Sequence, residues 1–278
     1  MEPPHVFGNS AALGPAGVHA MTRVHDPYTK LLLDSVGIGP GSRCLDVGAG
    51  EGSIARWMAD RAGPAGRVVA TDADVTNLKP SAGVEVHRHD INEGMPAAST
   101  FDLIHVRSVL MRIPRRQQIF TTLLDALSPG GWIVIGELRS CPQEILSAPS
   151  AADAQLVVDI TRTITDTVAE AAGVSWTWAD EVEHHMAEHG LDEIFGVEYR
   201  PMLSNGNAVC DLHDSYVRQV EPLLYEYGYS PSQVERFYEV LHDPRFRARP
   251  FFHMVLTAGR KPESRAHGAR AHGHGRRH

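Results

Sequence analysis

The run Cys44-Leu45-Asp46-Val47-Gly48-Ala49-Gly50-Glu51-Gly52 constrains this chain more than any other stretch. An apolar strand ends in an acidic residue, and a glycine turn then opens directly into the helical pattern Ser53-Ile54-Ala55-Arg56-Trp57-Met58-Ala59. Glycine suits such a turn because it adopts left-handed φ angles and lets a ligand approach closer than a Cβ allows. The spacing is Gly-x-Gly-x-Gly, not the Gly-x-Gly-x-x-Gly of dinucleotide enzymes. Alone, the turn fits nucleotide binding and plain tight packing about equally. The strands that follow separate the two.

Arg67-Val68-Val69-Ala70-Thr71 reads as a second strand ending in Asp72, whose carboxylate is placed to accept both hydroxyls of a ribose. A third strand, Val84-Glu85-Val86-His87-Arg88-His89, ends in Asp90-Ile91, an acid and an apolar neighbour suited to an adenine amino group and ring face. The fourth, Phe101-Asp102-Leu103-Ile104-His105-Val106, runs into Arg107. The fifth follows Leu127-Ser128-Pro129-Gly130-Gly131-Trp132 and continues through Ile133 to Glu137. Alternation of strand and helix to about residue 140 predicts an α/β fold, a doubly wound, mostly parallel sheet. Polar residues recur at the carboxyl ends of successive strands, where open α/β sheets bind ligands. Any one of them alone would pass as a helix cap. Together they argue for a nucleotide.

These residues resemble the class I S-adenosylmethionine-dependent methyltransferases, and more narrowly the bacterial small-molecule group related to ubiquinone/menaquinone C-methyltransferases. The resemblance rests on Asp26-Pro27-Tyr28-Thr29, the glycine motif, Arg88 to Ile91, His105 to Met111 and Pro129-Gly130-Gly131-Trp132. It is strong over about 26–140 and looser but collinear to about 262. It implies a seven-stranded Rossmann-like sheet with an antiparallel last strand and S-adenosyl-L-methionine as cofactor. It further implies that Asp46, Gly48, Ala49, Gly50 and Gly52 line the methionine and ribose portion. Asp72, with Ala73 beside it, would take the ribose hydroxyls, Asp90 and Ile91 would hold adenine, and Arg107 would lie beside the amino acid end. At Arg112 the chain departs from many relatives, which carry His, so no role of that His transfers.

Composition excludes other classes. The net charge is −8, and residues 263–278 carry four arginines against Glu263, a net of +3, which leaves −8 − 3 = −11 for the body. So acidic a body repels a phosphate backbone and argues against nucleic acid as acceptor. No apolar run reaches the roughly 20 residues of a membrane span, and the start Met1-Glu2-Pro3-Pro4-His5 lacks signal-peptide character. Three scattered cysteines, Cys44, Cys141 and Cys210, fit reduced thiols in a cytoplasmic protein and show no metal spacing. A monomer or homodimer is expected. The Gly/Pro/Ala-rich residues 1–25 read as a flexible lead-in, with Phe7 a candidate lid, before a domain spanning 26–262. Residues 263–278 read as a disordered tail whose four histidines would collect metal only weakly.

Beyond strand five the pattern changes. Helices are expected at 151–172, 180–189 and, as a pair, 211–242, with strands at 196–201 and 253–258. Insertions at about 141–175 and 203–250 would roof a substrate chamber. Methyl transfer is an in-line displacement that demands alignment and exclusion of water, and a base only when the acceptor retains its proton. His213, Glu137 and His25 are the candidate catalytic groups, with His253 also considered; a water-satisfied surface histidine is the alternative for His213, and a helix-start role for His25. His105, interior to its strand, reads as packing. Met111, Trp176, Trp178 and Tyr216 are candidate substrate contacts, through stacking on a flat acceptor or cation–π attraction to the sulfonium.

Several absences narrow the class. Arg107-Ser108-Val109 stands where base- and glutamine-methylating enzymes carry an Asn-Pro-Pro-Tyr-like tetrapeptide, and Leu138-Arg139 replaces the Asp-Asn of magnesium-dependent catechol enzymes. About 42 residues before strand one are too few for the dimerisation domain of plant-type O-methyltransferases. The expected function is methyl transfer to O, N or C of a small molecule, in specialised metabolism. The alternative is an enzyme that keeps the sulfonium as a fixed charge while its cap guides a cyclisation.

Overall fold

The computed structural model describes residues 10–96 and 100–263. Phe7 and the Arg/His tail beyond residue 263 therefore lie outside the described residues. The main sheet uses β1 (Arg43–Val47), β2 (Arg67–Asp72), β3 (Val84–Arg88), β4 (Phe101–Arg107), β5 (Leu127–Ser140), β7 (Asp192–Tyr199) and β10 (Phe252–Arg260). Their order is β3-β2-β1-β4-β5-β10-β7. β10 runs antiparallel to both neighbours, β5 and β7, whereas β3 to β5 pair in parallel. This is the expected doubly wound sheet with its antiparallel last strand. The central strands β1 and β4 are buried through most of their length because helices cover both faces.

Helix α1 (Ser10–Val36) packs on α2 (Ser53–Ala62), while α3 (Arg116–Asp125) meets α6 (Trp178–Glu188) through Phe120 and Trp178. The first correction concerns α1. Its helix starts at Ser10, inside the stretch 1–25 expected to be a flexible lead-in, so part of that lead-in is helical. Gly14, Pro15, Gly17 and Pro27 read as breakers, yet Val18, Ala20 and Val24 are buried, and α1 lies along α7 (Ala208–Glu226). Tertiary burial of an apolar stripe outweighs weak propensity here.

The insertions are helical, as expected. The first holds α4 (Ala151–Thr163), a π-turn at Ile164–Val168 and α5 (Ala169–Ala171); the second holds α7 and α8 (Pro231–Leu241). Each main helix has a side-chain cap: Ser150 on Asp153 N, Asn207 on Cys210 N, and a Ser230/Gln233 capping box. A small antiparallel sheet that no sequence pattern announces ties the insertions together. In it β6 (Glu144–Ser147) and β8 (Leu203–Ser204) flank β9 (Arg247–Arg249). Among the described residues no helix is long and apolar enough to cross a membrane, and no cluster of three His, Cys, Asp or Glu suits a metal.

Candidate active site

The glycine turn has the predicted backbone. Gly48, Gly50 and Gly52 adopt φ of 69°, 60° and 79°. Two of them are glycine for packing reasons as well: a Cβ on Gly48 would sit 2.3 Å from Val109 Cγ2, and one on Gly52 would sit 2.6 Å from Leu78 Cδ1. Gly50 differs. A Cβ there would meet nothing within 4 Å, so the turn presents bare backbone to open space. The amides of Gly48 and Ala49 both donate to Thr71 O, which locks the turn to the end of β2.

Asp72 closes the turn from the other side. Its Oδ2 accepts the Gly50 amide at 2.9 Å and its Oδ1 accepts the Asp74 amide at 3.0 Å. Burial raises its pKa, and these two hydrogen bonds and the Arg112 guanidinium oppose that rise. The Asp72 carboxylate and the Gly50 backbone thus border the same open space. Ala73 is exposed beside them, and its carbonyl accepts from Arg88 Nε. At the tip of β3, Asp90 caps a short turn by accepting from Asn92 N at 2.9 Å, and Ile91 is buried beneath it. For Asp90 the cap is a role the structure displays directly.

Asp46 is 1% exposed and pairs with His105, its register partner on β4, through Oδ1 and Nδ1 at 2.7 Å. Asp46 Oδ2 and His105 Nε2 are buried with no hydrogen-bond partner among the described residues. His105 is therefore not mere packing. Arg107, two residues further along β4, is tied elsewhere: it donates to Asp26 Oδ1 at 2.9 Å and to Thr29 Oγ1 at 2.8 Å. That ion pair is almost wholly buried, and it fastens α1 to the end of β4. A surface salt bridge is thus excluded for Arg107.

Beyond β4 the chain turns sharply at Ser108, a buried non-glycine residue at φ 54°. Left-handed strain of this kind concentrates at functional sites. The turn leads into a 3₁₀ segment, Leu110–Arg112, which Glu137 of β5 supports: its Oε1 accepts the Leu110 amide at 2.8 Å. Glu137 is fully buried, and its Oε2 has no hydrogen-bond partner among the described residues. Burial pushes its pKa up to about 7, against the pull of Arg112 and nearby backbone amides. Arg112 lies within electrostatic reach of Glu137, Asp72 and Tyr216, and burial lowers its own pKa. An arginine therefore occupies the centre of the groups at the strand tips, where the family resemblance offered only a departure from His.

His25 is also in this region. It is fully buried, its Nδ1 lies 2.7 Å from Tyr199 Oη, and burial and Arg107 hold its pKa well below the ordinary imidazole value. Tyr199 in turn stacks on Tyr28 at 3.7 Å between ring centroids. Tyr216 is buried edge-on to Phe252, and burial pushes its pKa up to about 12.

Other expected residues are placed elsewhere. His213, expected as a base, is fully buried between Phe237 and Phe251, and burial lowers its pKa to about 3, which speaks against that role. Trp178 is a core residue against Phe120 and His185, not a substrate contact. Met111 is 1% exposed, and its carbonyl accepts from Ser175 N. Trp176 donates its Nε1 to Thr165 O in the π-turn. His253 is partly exposed and pairs with Glu198. The side chains the sequence reading missed are Tyr199, Ser108 and Arg112. Tyr199 falls inside the strand expected at 196–201, and Arg112 shows in the sequence only as a departure from the family's His; the positive φ of Ser108 has no sequence counterpart.

Comparison with known proteins is consistent with this geometry. A family model described as a methyltransferase domain matches residues 19–195. The chain belongs to that family, and with this sheet order it is a class I S-adenosylmethionine-dependent methyltransferase. Trans-aconitate 2-methyltransferase of Variovorax paradoxus is 27% identical over 83% of this chain and 91% of its own length. A methyltransferase of Strobilurus tenacellus is 30% identical over 41% of this chain, and the matched stretch spans only 43% of that relative. The ubiquinone/menaquinone biosynthesis C-methyltransferase of Pseudomonas savastanoi pv. phaseolicola is 23% identical over 45% of this chain and 52% of its own. Among solved structures, Haemonchus contortus phosphoethanolamine N-methyltransferase 2 in complex with S-adenosyl-L-methionine superposes with a TM-score of 0.55 at 15% identity, over 89% of this chain and 57% of that one. A Bacillus halodurans methyltransferase gives 0.53 at 18%, over 84% and 98%. At such identities these structures speak for the fold alone.

Proposed function

We propose that the chain moves the methyl group of S-adenosylmethionine to a small-molecule acceptor held beneath the helical cap. The observation that carries this reading is the open space bordered by the bare Gly50 backbone and the Asp72 carboxylate, with Glu137 and Arg112 at the neighbouring strand tips. The residues fit the cofactor: a cradle that a Cβ would intrude upon, a carboxylate for vicinal hydroxyls, and a buried acid, Asp46, with one oxygen unpaired. When bound, the cofactor would be held by the Gly50 backbone and the Asp72 carboxylate and would supply an electrophilic methyl carbon on a positively charged sulfur.

Within this reading Glu137 holds the acceptor's proton. Its Oε1 is spent on Leu110 N, its Oε2 is not, and a pKa near 7 suits proton uptake at neutral pH. His25 stays neutral and orients Tyr199 from behind. Burial of the whole group excludes water, which favours displacement by the acceptor over hydrolysis. The relatives named above for trans-aconitate and for ubiquinone/menaquinone biosynthesis lend support to a small-molecule acceptor.

Calorimetry with S-adenosylmethionine tests the placement. Asp72→Ala removes a charged acceptor and should weaken binding by about 1–3 kcal/mol, or roughly 5- to 150-fold. Unchanged affinity in that variant refutes it. A cyclase reading would predict turnover without S-adenosylhomocysteine, which chromatography of the reaction detects.

A further inference from the structure

We propose that the buried Asp46–His105 pair makes the site prefer the sulfonium of S-adenosylmethionine over its uncharged by-product, S-adenosylhomocysteine. The pair carries one negative charge beneath the glycine turn, and His105 is the positioning residue that keeps the Asp46 carboxylate ionised. The inference rests on the methyltransferase reading above. Asp46 and His105 are register partners on β1 and β4, almost wholly buried, and joined through Oδ1 and Nδ1 at 2.7 Å. Along the strands their neighbours are buried and apolar: Leu45 and Val47 on one, Ile104 and Val106 on the other. Apolar residues of similar volume often stabilise a core as well as a buried polar pair does, so stability alone gives little reason for this one.

The protonation state follows from the two atoms left over. Asp46 Oδ2 and His105 Nε2 are buried and have no hydrogen-bond partner among the described residues. An imidazolium would bury a second N–H with nothing to accept it. A protonated Asp46 would bury either an unaccepted O–H at Oδ2 or, by donating from Oδ1 to Nδ1, an unaccepted N–H at Nε2. Only a carboxylate with a neutral imidazole donating through Nδ1 leaves no donor stranded, and a stranded buried donor is costly. The negative charge that remains is itself costly to bury, and a cation held nearby offsets that cost.

The glycine turn is close by. Gly48 follows Asp46 by two residues, a rise of about 7 Å along a strand. Thr71 ties the two together: its Oγ1 donates to Asp46 O, and its carbonyl accepts the Gly48 and Ala49 amides. The other charges at the strand tips face opposite ones, Arg107 with Asp26, and Arg112 within reach of Asp72 and Glu137. At about 10 Å and an effective dielectric near 20, one unit charge changes the affinity of a singly charged ligand roughly tenfold. An uncharged ligand of the same shape gains nothing. S-adenosylhomocysteine is that ligand, with a thioether in place of the sulfonium.

Calorimetry on the full chain with both compounds reads the preference directly. Asp46→Asn removes the charge and keeps the shape; His105→Leu removes the donor, so the carboxylate takes up a proton. Each variant is expected to weaken S-adenosylmethionine about tenfold and to leave S-adenosylhomocysteine within about twofold of the wild type. His105→Asn, whose amide N–H stands near the place of Nδ1–H, should keep the wild-type ratio of the two affinities. Equal weakening of both ligands in Asp46→Asn, or an unchanged ratio there, overturns the inference and leaves the methyltransferase reading in place. A ratio in His105→Asn as low as in Asp46→Asn overturns the role given to His105. Those two variants decide the question even where His105→Leu does not fold. Failure of both ligands to bind the wild type sinks the methyltransferase reading, and the inference with it.

Discussion

Glu137→Gln offers a test in which activity and stability move in opposite directions. Glutamine reproduces the protonated carboxyl in shape and still offers an oxygen to Leu110 N, so the turn before Arg112 keeps its support. The folded pKa near 7 exceeds the ordinary 4.5 by about 2.5, and at about 1.36 kcal/mol for each pKa unit this gives about 3 kcal/mol. The sign follows from a raised folded-state pKa. The stabilising contribution is complete below pH 4.5, declines as pH rises towards 7, and is absent above it. The wild type at pH 8 therefore carries a buried carboxylate that the variant does not. Chemical denaturation from pH 4.5 to 8 should show little difference at the acidic end and a gain of about 3 kcal/mol for Glu137→Gln at the alkaline end. A gain of equal size at every pH, or a loss at pH 8, refutes the assignment of burial as the cause. Catalysis should run the other way. With a hydroxyl acceptor the wild-type rate should rise with pH through about 7, and the variant should lose roughly 10²- to 10⁴-fold together with that dependence.

The two glycines of the turn should separate packing from ligand contact. Gly48→Ala meets Val109 at 2.3 Å and should lower the melting temperature, whereas Gly50→Ala, with only the left-handed strain of about 1 kcal/mol, should mainly weaken S-adenosylmethionine in calorimetry. Arg107→Leu leaves the buried Asp26 carboxylate with Lys30 as its remaining ion-pair partner and should cost about 1.5–3 kcal/mol in urea denaturation, the range for a lost hydrogen bond to a charged group; a loss below about 1 kcal/mol would show the pair to be dispensable. His213→Phe fills an aromatic niche without a charge to lose and should hold or raise stability with turnover intact. A collapse of turnover in that variant would restore His213 as a base.

Local chemistry made the cofactor half of the site readable. Gly48 and Gly50 sit where β1 meets α2 and Asp72 ends the next strand, so the roles proposed for them follow from short local patterns. The acceptor half depends on contacts between distant segments. Tyr199 reaches His25 across 174 positions, and Arg236 pairs with Asp153 across 83. No periodicity records such meetings. The same holds for β6, β8 and β9, each too short to announce itself without its partners. His213 misled for a related reason: its neighbours Asp211 and Asp214 in sequence suggested a polar setting, but its ring turns inward to Phe237 and Phe251. Residues 10–25 misled through composition, because Gly and Pro signal breaks only while no neighbouring helix rewards continuation.

Helix α1 reaches both storeys of the molecule, the cap through α7 and the sheet through the Arg107–Asp26 pair. It acts as a strut, so the roof cannot lift to admit an acceptor or release a product without loading that strut. On the proposed function, exchange at the chamber and the mechanical integrity of the amino-terminal helix are thereby one and the same property, and a change at Asp26 would be felt in turnover.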